Sequence, residues 1–263
     1  MGSATTQASA AAGAALTAAS GVDLTVAREL FAAARTVGDS SQLSGALADS
    51  AAAPAARRKV VTDVFGSAFA PTTMSLLSTI VDQRWSSAAD LVDGIEEIAV
   101  RAAAVADSSV DVEGELFRFS RTVAANPELE LALGSRLGDT SAKGTLVSTL
   151  LEGRASDATT LIASSLVQQP RERRVRQLLA RAERLVADQR GRTVATVVTA
   201  VPLSEAQATR LTATLSARYG SAVALNTVVD PSVVGGLRVQ IADDVIDASV
   251  SSRLADLRQR LAG

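Results

Sequence analysis

Two stretches, Glu29–Leu47 (ELFAAARTVGDSSQLSGAL) and Glu115–Leu133 (ELFRFSRTVAANPELELAL), decide how the chain is read. With Glu29 laid on Glu115, the residues at Leu30, Phe31, Arg35, Thr36, Val37, Leu43, Ala46 and Leu47 recur unchanged. Only one of these matches is alanine, so an alanine-rich composition does not explain them. The same shift pairs Arg57 with Lys143, Leu76 with Ile162, Ile80 with Leu166 and Val81 with Val167. One further residue of shift pairs Leu91 with Leu178 and Ile98 with Leu185. Such self-similarity marks a duplicated structural unit. Two copies are too few for a solenoid, so each is expected to carry its own core.

Outward from the repeat, apolar residues recur at helical spacing between Leu24 and Val186. Leu91, Ile95, Ile98, Ala102 and Val105 step four, three, four and three. From Gly191 the texture changes. RTVATVVTAV is β-branched and suits a buried strand, and Pro202 ends it. Ser204, with Gln207 three residues on, forms a capping box for a helix that Gly220 closes. VALNTVV gives a second strand, and LRVQIADDVIDAS folds back on itself around Ala242–Asp244. Val250, Leu254, Leu257 and Leu261 line a last helix. The expected fold class is α+β, with two tandem helical bundles followed by a small mixed sheet and two helices. The expected boundaries are an Ala/Ser-rich leader (1–22), a first bundle (23–105), a second bundle (88–190) sharing the helix at 88–105, and an α/β domain (191–263).

Composition removes several chemistries. The chain has no Cys and no His, so disulfides, thiolate or imidazole catalysis and most transition-metal ligation are excluded. Net charge is −2, too little to draw nucleic acid by a global field. No run of about twenty strongly apolar residues is present, so no membrane insertion is expected.

Three local features invite a functional reading. Gly235 and Gly236 could cradle phosphate, but they lead into a strand and no GK[ST] follows. A sheet corner needing positive φ accounts for them better. Asp243, Asp244 and Asp247 lack the spacing of a calcium loop and read as a solvated turn. Arg171, Arg173, Arg174, Arg176, Arg181 and Arg184 could touch phosphates, giving a weak nucleic-acid binder. Acidic residues are interleaved and no aromatics stand ready to stack bases, so a solvated face or a patch for an acidic protein partner is the stronger reading. Nucleophile, base and oxyanion donors nowhere assemble, and no enzyme, cofactor or metal is expected.

Taken together, GRTVATVVTAVPLSEAQ and VDPSVVGGLRVQIADDVIDASVSSRLADLRQRL resemble the C-terminal part of the delta subunit family of F-type ATP synthase. The mitochondrial oligomycin-sensitivity-conferring protein is a relative. Pro202, Leu203 and Ser204 match the family's strand exit, Asp230, Pro231, Gly235 and Gly236 its corner, and Ile246, Asp247 and Ser249 its return strand. Ala248 stands where the family usually has glycine. NPEL at Asn126–Leu129 and Lys143 fit the family's helical domain, so the resemblance covers residues 88–263.

The resemblance implies a non-catalytic adaptor, one copy per complex, on the cytoplasmic face of the bacterial plasma membrane. It would tie the catalytic head, through alpha-subunit N-terminal helices, to b-type stalk subunits, so that the stator resists rotor torque during ATP synthesis. The front half adds a second copy of the helical region, as in elongated members of the family. A groove for the alpha helix is expected in the second copy, among Ile98, Ala102, Val105, Leu161 and Leu166. A helical scaffold for an unrelated assembly is the alternative.

Overall fold

The computed structural model describes residues 2–135, 138–171, 173–241 and 244–250. Two compact units divide the chain, Met1–Val186 and Ala187–Gly263.

The first unit is helical: α1 (Ser3–Ala18), α2 (Leu24–Asp39), α3 (Ser41–Ala48), α4 (Pro54–Phe65), α5 (Pro71–Asp82), α6 (Ala88–Ala106), α7 (Val112–Ala125), α8 (Pro127–Gly134), α9 (Thr140–Leu151), α10 (Asp157–Gln168) and α11 (Val175–Gln189). The shift that carries Glu29 onto Glu115 carries α3 onto α8, α4 onto α9 and α5 onto α10 end to end, and α2 onto α7 with a later start. It also carries α1 onto α6, and α6 onto α11. Each copy therefore has six helices, and α6 serves twice, closing the first copy and opening the second.

The copies start their helices by different means at equivalent places. Pro54 and Pro71 occupy the first positions of α4 and α5, where a missing N–H costs nothing. In the second copy the side chains of Asp139 and Ser156 accept from the first-turn amides of α9 and α10. A carboxylate common to both copies completes the cap. Glu29 accepts from the Ala70 amide at 2.9 Å and the buried Thr73 hydroxyl at 2.5 Å. Glu115 accepts from the Ser156 amide at 2.9 Å, its hydroxyl at 2.7 Å and the buried Thr159 hydroxyl at 2.5 Å. A recurring Glu thus ties the second helix of each copy to the start of the fifth, where helix-end amides favour negative charge.

The stretch expected as a leader folds as α1. It packs on α5 and α6, with Ala8, Ala12 and Leu16 buried. Its small residues give a weak apolar pattern in sequence, yet they let neighbouring helices come close. The hydrophobic core of this unit runs through both copies without a break. Ala27, Ala33 and Ala34 of α2 and Ala99, Ala102 and Ala103 of α6 are all fully or nearly fully buried, and these two helices pack extensively on one another.

The second unit is built on β1 (Arg192–Thr199), α12 (Glu205–Tyr219), β2 (Ala222–Val229), β3 (Leu237–Ile241) and β4 (Asp244–Asp247). The sheet order is β2-β1-β3-β4. β1 and β2 are parallel, with α12 as the crossover, while β1–β3 and β3–β4 are antiparallel. The fold class is therefore α+β. Ala195, Val197, Val239 and Ile241 from the sheet and Leu215 from α12 form a separate, smaller core. The expected closing helix lies, apart from Val250, outside the described residues.

Candidate partner interface

The expected groove on α6 and α10 is mostly core. Ile98, Ala102 and Leu166 are 1%, 0% and 3% exposed, which corrects their assignment as groove residues. The reason is the double use of α6. Leu91, Val92, Ile95, Ile98, Ala99, Val100 and Ala102–Ala104 are all buried, so α6 is apolar around most of its circumference, as a fully packed helix must be. Two of the named residues remain at the surface of the α6–α10 seam: Val105 is 37% exposed and Leu161 half-buried.

The repeat carries these two positions back to Ala19 and Ser75 in the first copy. There the equivalent seam, between α1 and α5, holds an open groove of about 460 Å³ lined by Ala15, Ala18, Ala19, Pro71, Ser75 and Thr79. The first copy thus carries Ala19 and Ser75 where the second carries the larger Val105 and Leu161.

The arginine run is largely spent inside the first unit. Arg171 pairs with Glu96 and, at 2.9 Å, with Asp93. Arg173 reaches Glu96 at 2.9 Å, and Arg181 reaches Glu97 at 3.4 Å and Glu96 at 3.6 Å. Arg101 holds Glu97 at 3.0 Å, and Arg176 holds Glu130 at 2.9 Å. Glu96 and Glu97 are only 5% and 7% exposed. Burial lowers the pKa of Arg171, while Glu96 and Asp93 act to hold its charge. The expected solvated basic face is in large part an ion network that fastens the α10–α11 connector to α6. Carboxylates at 93, 96 and 97, on one side of a mainly apolar helix, were the available sequence signal.

In the second unit most of the family-motif residues brace backbone. Past Pro202, the Ser204 hydroxyl accepts from the Gln207 amide at 3.3 Å, and the Gln207 side-chain Oε1 accepts from the Ser204 amide at 2.9 Å. Asp230 donates its amide to the Thr199 carbonyl at 2.8 Å and accepts from the Ser232 amide at 2.9 Å, spanning Pro231. Gly235 and Gly236 take φ of +67° and +78°. A Cβ on Gly236 would lie 2.4 Å from the Ala248 carbonyl oxygen, and the Gly235 carbonyl accepts from the Val250 amide at 3.2 Å. Asp247 accepts from the Ser249 amide at 2.9 Å. That hydrogen bonding to Ser249 holds the Asp247 carboxyl below its ordinary range. Asp244 accepts from the Tyr219 hydroxyl at 3.0 Å, while Asp243 lies outside the described residues. Among the described residues no group of three acidic side chains could hold a metal ion, and no helix is long and apolar enough to cross a membrane.

Comparison with known proteins adds a family to this geometry. A family model described as ATP synthase delta (OSCP) subunit matches residues 98–261. A protein of Leifsonia xyli named ATP synthase subunit delta is 52% identical over the full length of both chains. One of the same name from Streptomyces avermitilis is 42% identical over 94% of this chain and 93% of its own. A chain in the cryo-EM structure of the Toxoplasma gondii mitochondrial ATP synthase hexamer overlaps 64% of this chain and 97% of its own. Its identity is 22% and its TM-score 0.38, too low to carry structural weight.

Proposed function

The chain belongs to the ATP synthase delta (OSCP) subunit family, and on that premise we propose that it is a non-catalytic adaptor of the peripheral stalk. In this reading it sits peripherally on the cytoplasmic side of the bacterial plasma membrane and joins alpha-subunit N-terminal helices to b-type subunits. The observation that carries the proposal is the full-length match to a delta subunit at 52% identity. The chemistry fits the role. An adaptor that resists torque needs rigid packing and a slowly breaking bond, and an amphipathic helix laid in an apolar seam supplies such a bond.

For the alpha helix we propose the α6–α10 seam of the second copy, entered beside Val105 and Leu161. The α1–α5 groove favours a second reading, in which the first copy takes a helix at the equivalent place. A labelled peptide of the cognate alpha N-terminus distinguishes them by fluorescence anisotropy. Val105→Asp and Leu161→Asp should each weaken binding at least tenfold with the far-ultraviolet circular dichroism unchanged. Loss on Ala19→Asp or Ser75→Asp instead would move the site to the first copy. If the peptide fails to bind and the chain does not co-purify with alpha and b subunits, the adaptor reading fails.

A further inference from the structure

We propose that the outer edge of β2 pairs with the same edge of a second copy of the chain, antiparallel across a two-fold axis, so that the two sheets become one. β2 stands first in the order β2-β1-β3-β4, so it is bonded on one side only. Among the described residues, no backbone group of Ala222–Leu225 or Thr227–Val229 is bonded beyond β1. Such a row of free N–H and C=O groups is a template for another extended strand.

The two edges of the sheet are treated differently. β4 has four residues, and the carboxylates at its two ends, Asp244 and Asp247, are both exposed. Short length and charge are common means of blocking a sheet edge. β2 has neither. It runs for eight residues, AVALNTVV, without proline or charge. Its register with β1 is unbroken from Arg192↔Ala222 to Thr199↔Val229, so no bulge twists the edge away. Ala222 and Thr227 are exposed, and Val229 is 45% exposed.

The occupant that fits is an extended, uncharged strand of similar length, and β2 is itself such a strand. Two-fold pairing sets each side chain against one from the same strand, so a charge near the axis would meet its like. β2 has no charge to repel its mate. Val223, Leu225 and Thr227 share one face of the sheet, because side chains alternate along a strand. On that face Val223 and Leu225 belong to the core of the second unit, Leu225 as a half-buried residue at its rim. With Leu225 on the axis, Leu225 meets its own mate and Val223 of each copy lies opposite Thr227 of the other. The pairing thus closes the free edge and extends the core across it. It does not rest on the adaptor reading. Under that reading, with one copy in each complex, the pair is the form of the unassembled chain.

The test is the oligomeric state of the full chain, by light scattering over a concentration series. The dimer fraction should rise with concentration. Thr227→Lys and Val229→Lys should each weaken the dimer at least tenfold with the far-ultraviolet circular dichroism unchanged. Val245→Lys, on β4, should leave it intact. Since the chain has no cysteine, Leu225→Cys should oxidise to a disulfide-linked pair, and this variant decides the matter if the lysine variants do not fold. A monomer at every concentration, a dimer unaffected by both β2 lysines, or failure of Leu225→Cys to cross-link would each overturn the proposal. So would a monomer whose β2 amides gain hydrogen-exchange protection only in the assembled synthase, since the edge would then belong to another subunit.

Discussion

At Gly236 one added carbon has nowhere to go. Its Cβ would sit 2.4 Å from the Ala248 carbonyl oxygen and 2.9 Å from the Ser249 Cα, both backbone atoms, and φ is +78°. Gly236→Val should therefore cost the second unit about 1–3 kcal/mol from backbone conformation, with the clash adding to it. Gly235→Val, facing the flexible end of Val250 at 3.1 Å, should cost less. Equal urea midpoints for Gly236→Val and wild type would refute this. Glu115 gives a pH-dependent counterpart. Burial works to raise its pKa, but hydrogen bonds from Thr159 and Ser156, with Arg118 nearby, outweigh that and leave it lowered. A carboxyl lowered in the folded state stabilises fully above its unfolded pKa and loses that contribution as pH falls through its folded one. Glu115→Gln should thus destabilise the first unit by about 1–3 kcal/mol near neutrality. The gap between variant and wild type should narrow as pH falls below about 4. A gap independent of pH would count against the charged cap.

Among the elements, helix ends and ion pairs can be separated by substitution. Ser204→Ala removes the accepting half of the α12 capping box and should cost about 1 kcal/mol. Glu96→Gln should cost more, up to about 3 kcal/mol, because it takes the shared partner from Arg171, Arg173 and Arg181. Thermal melts of the two variants check both values, and the reverse order would be a failure. How much of this was readable depended on whether local pattern and tertiary demand agreed. The capping box, the strand exit at Pro202 and the corner glycines are local events, and the residues that perform them lie within a few positions of one another. The duplication was readable because identical residues recur at one shift. The exposed groove was not readable. Ile98 and Ala102 carry the same helical stripe whether that stripe meets a partner or a second bundle of the same chain. Nor could α1 be seen, since a helix rich in Ala, Ser and Thr gains its stability from packing on α5 and α6 and not from its own pattern. The run at Arg171–Arg184 looked solvated because its carboxylate partners lie far away in sequence.

For the whole molecule, the chain supplies one reporter to each unit. The single tryptophan, Trp85, is 4% exposed in the first unit and donates its indole N–H to the Ile80 carbonyl at 2.9 Å. The single tyrosine, Tyr219, lies at the end of α12 in the second. Since each unit has its own core, Gly236→Val should move the tyrosine-detected unfolding transition and leave the tryptophan-detected one in place. Coincident shifts at both reporters would mean that the units unfold as one. The double use of α6 has a consequence for any attempt to shorten the protein. Beads on a string can be cut between beads, but interleaved modules have no such cutting point. A chain beginning at Ala88 would keep every helix of the second copy and still lose the cover that α1, α2, α3 and α5 give to α6. Its opening helix would present a bare hydrocarbon flank to water, and such a fragment would precipitate or pair with itself. Dependence on the front half is thus written into one helix, and the longer chain is a single architectural commitment, not a short protein with an appendix.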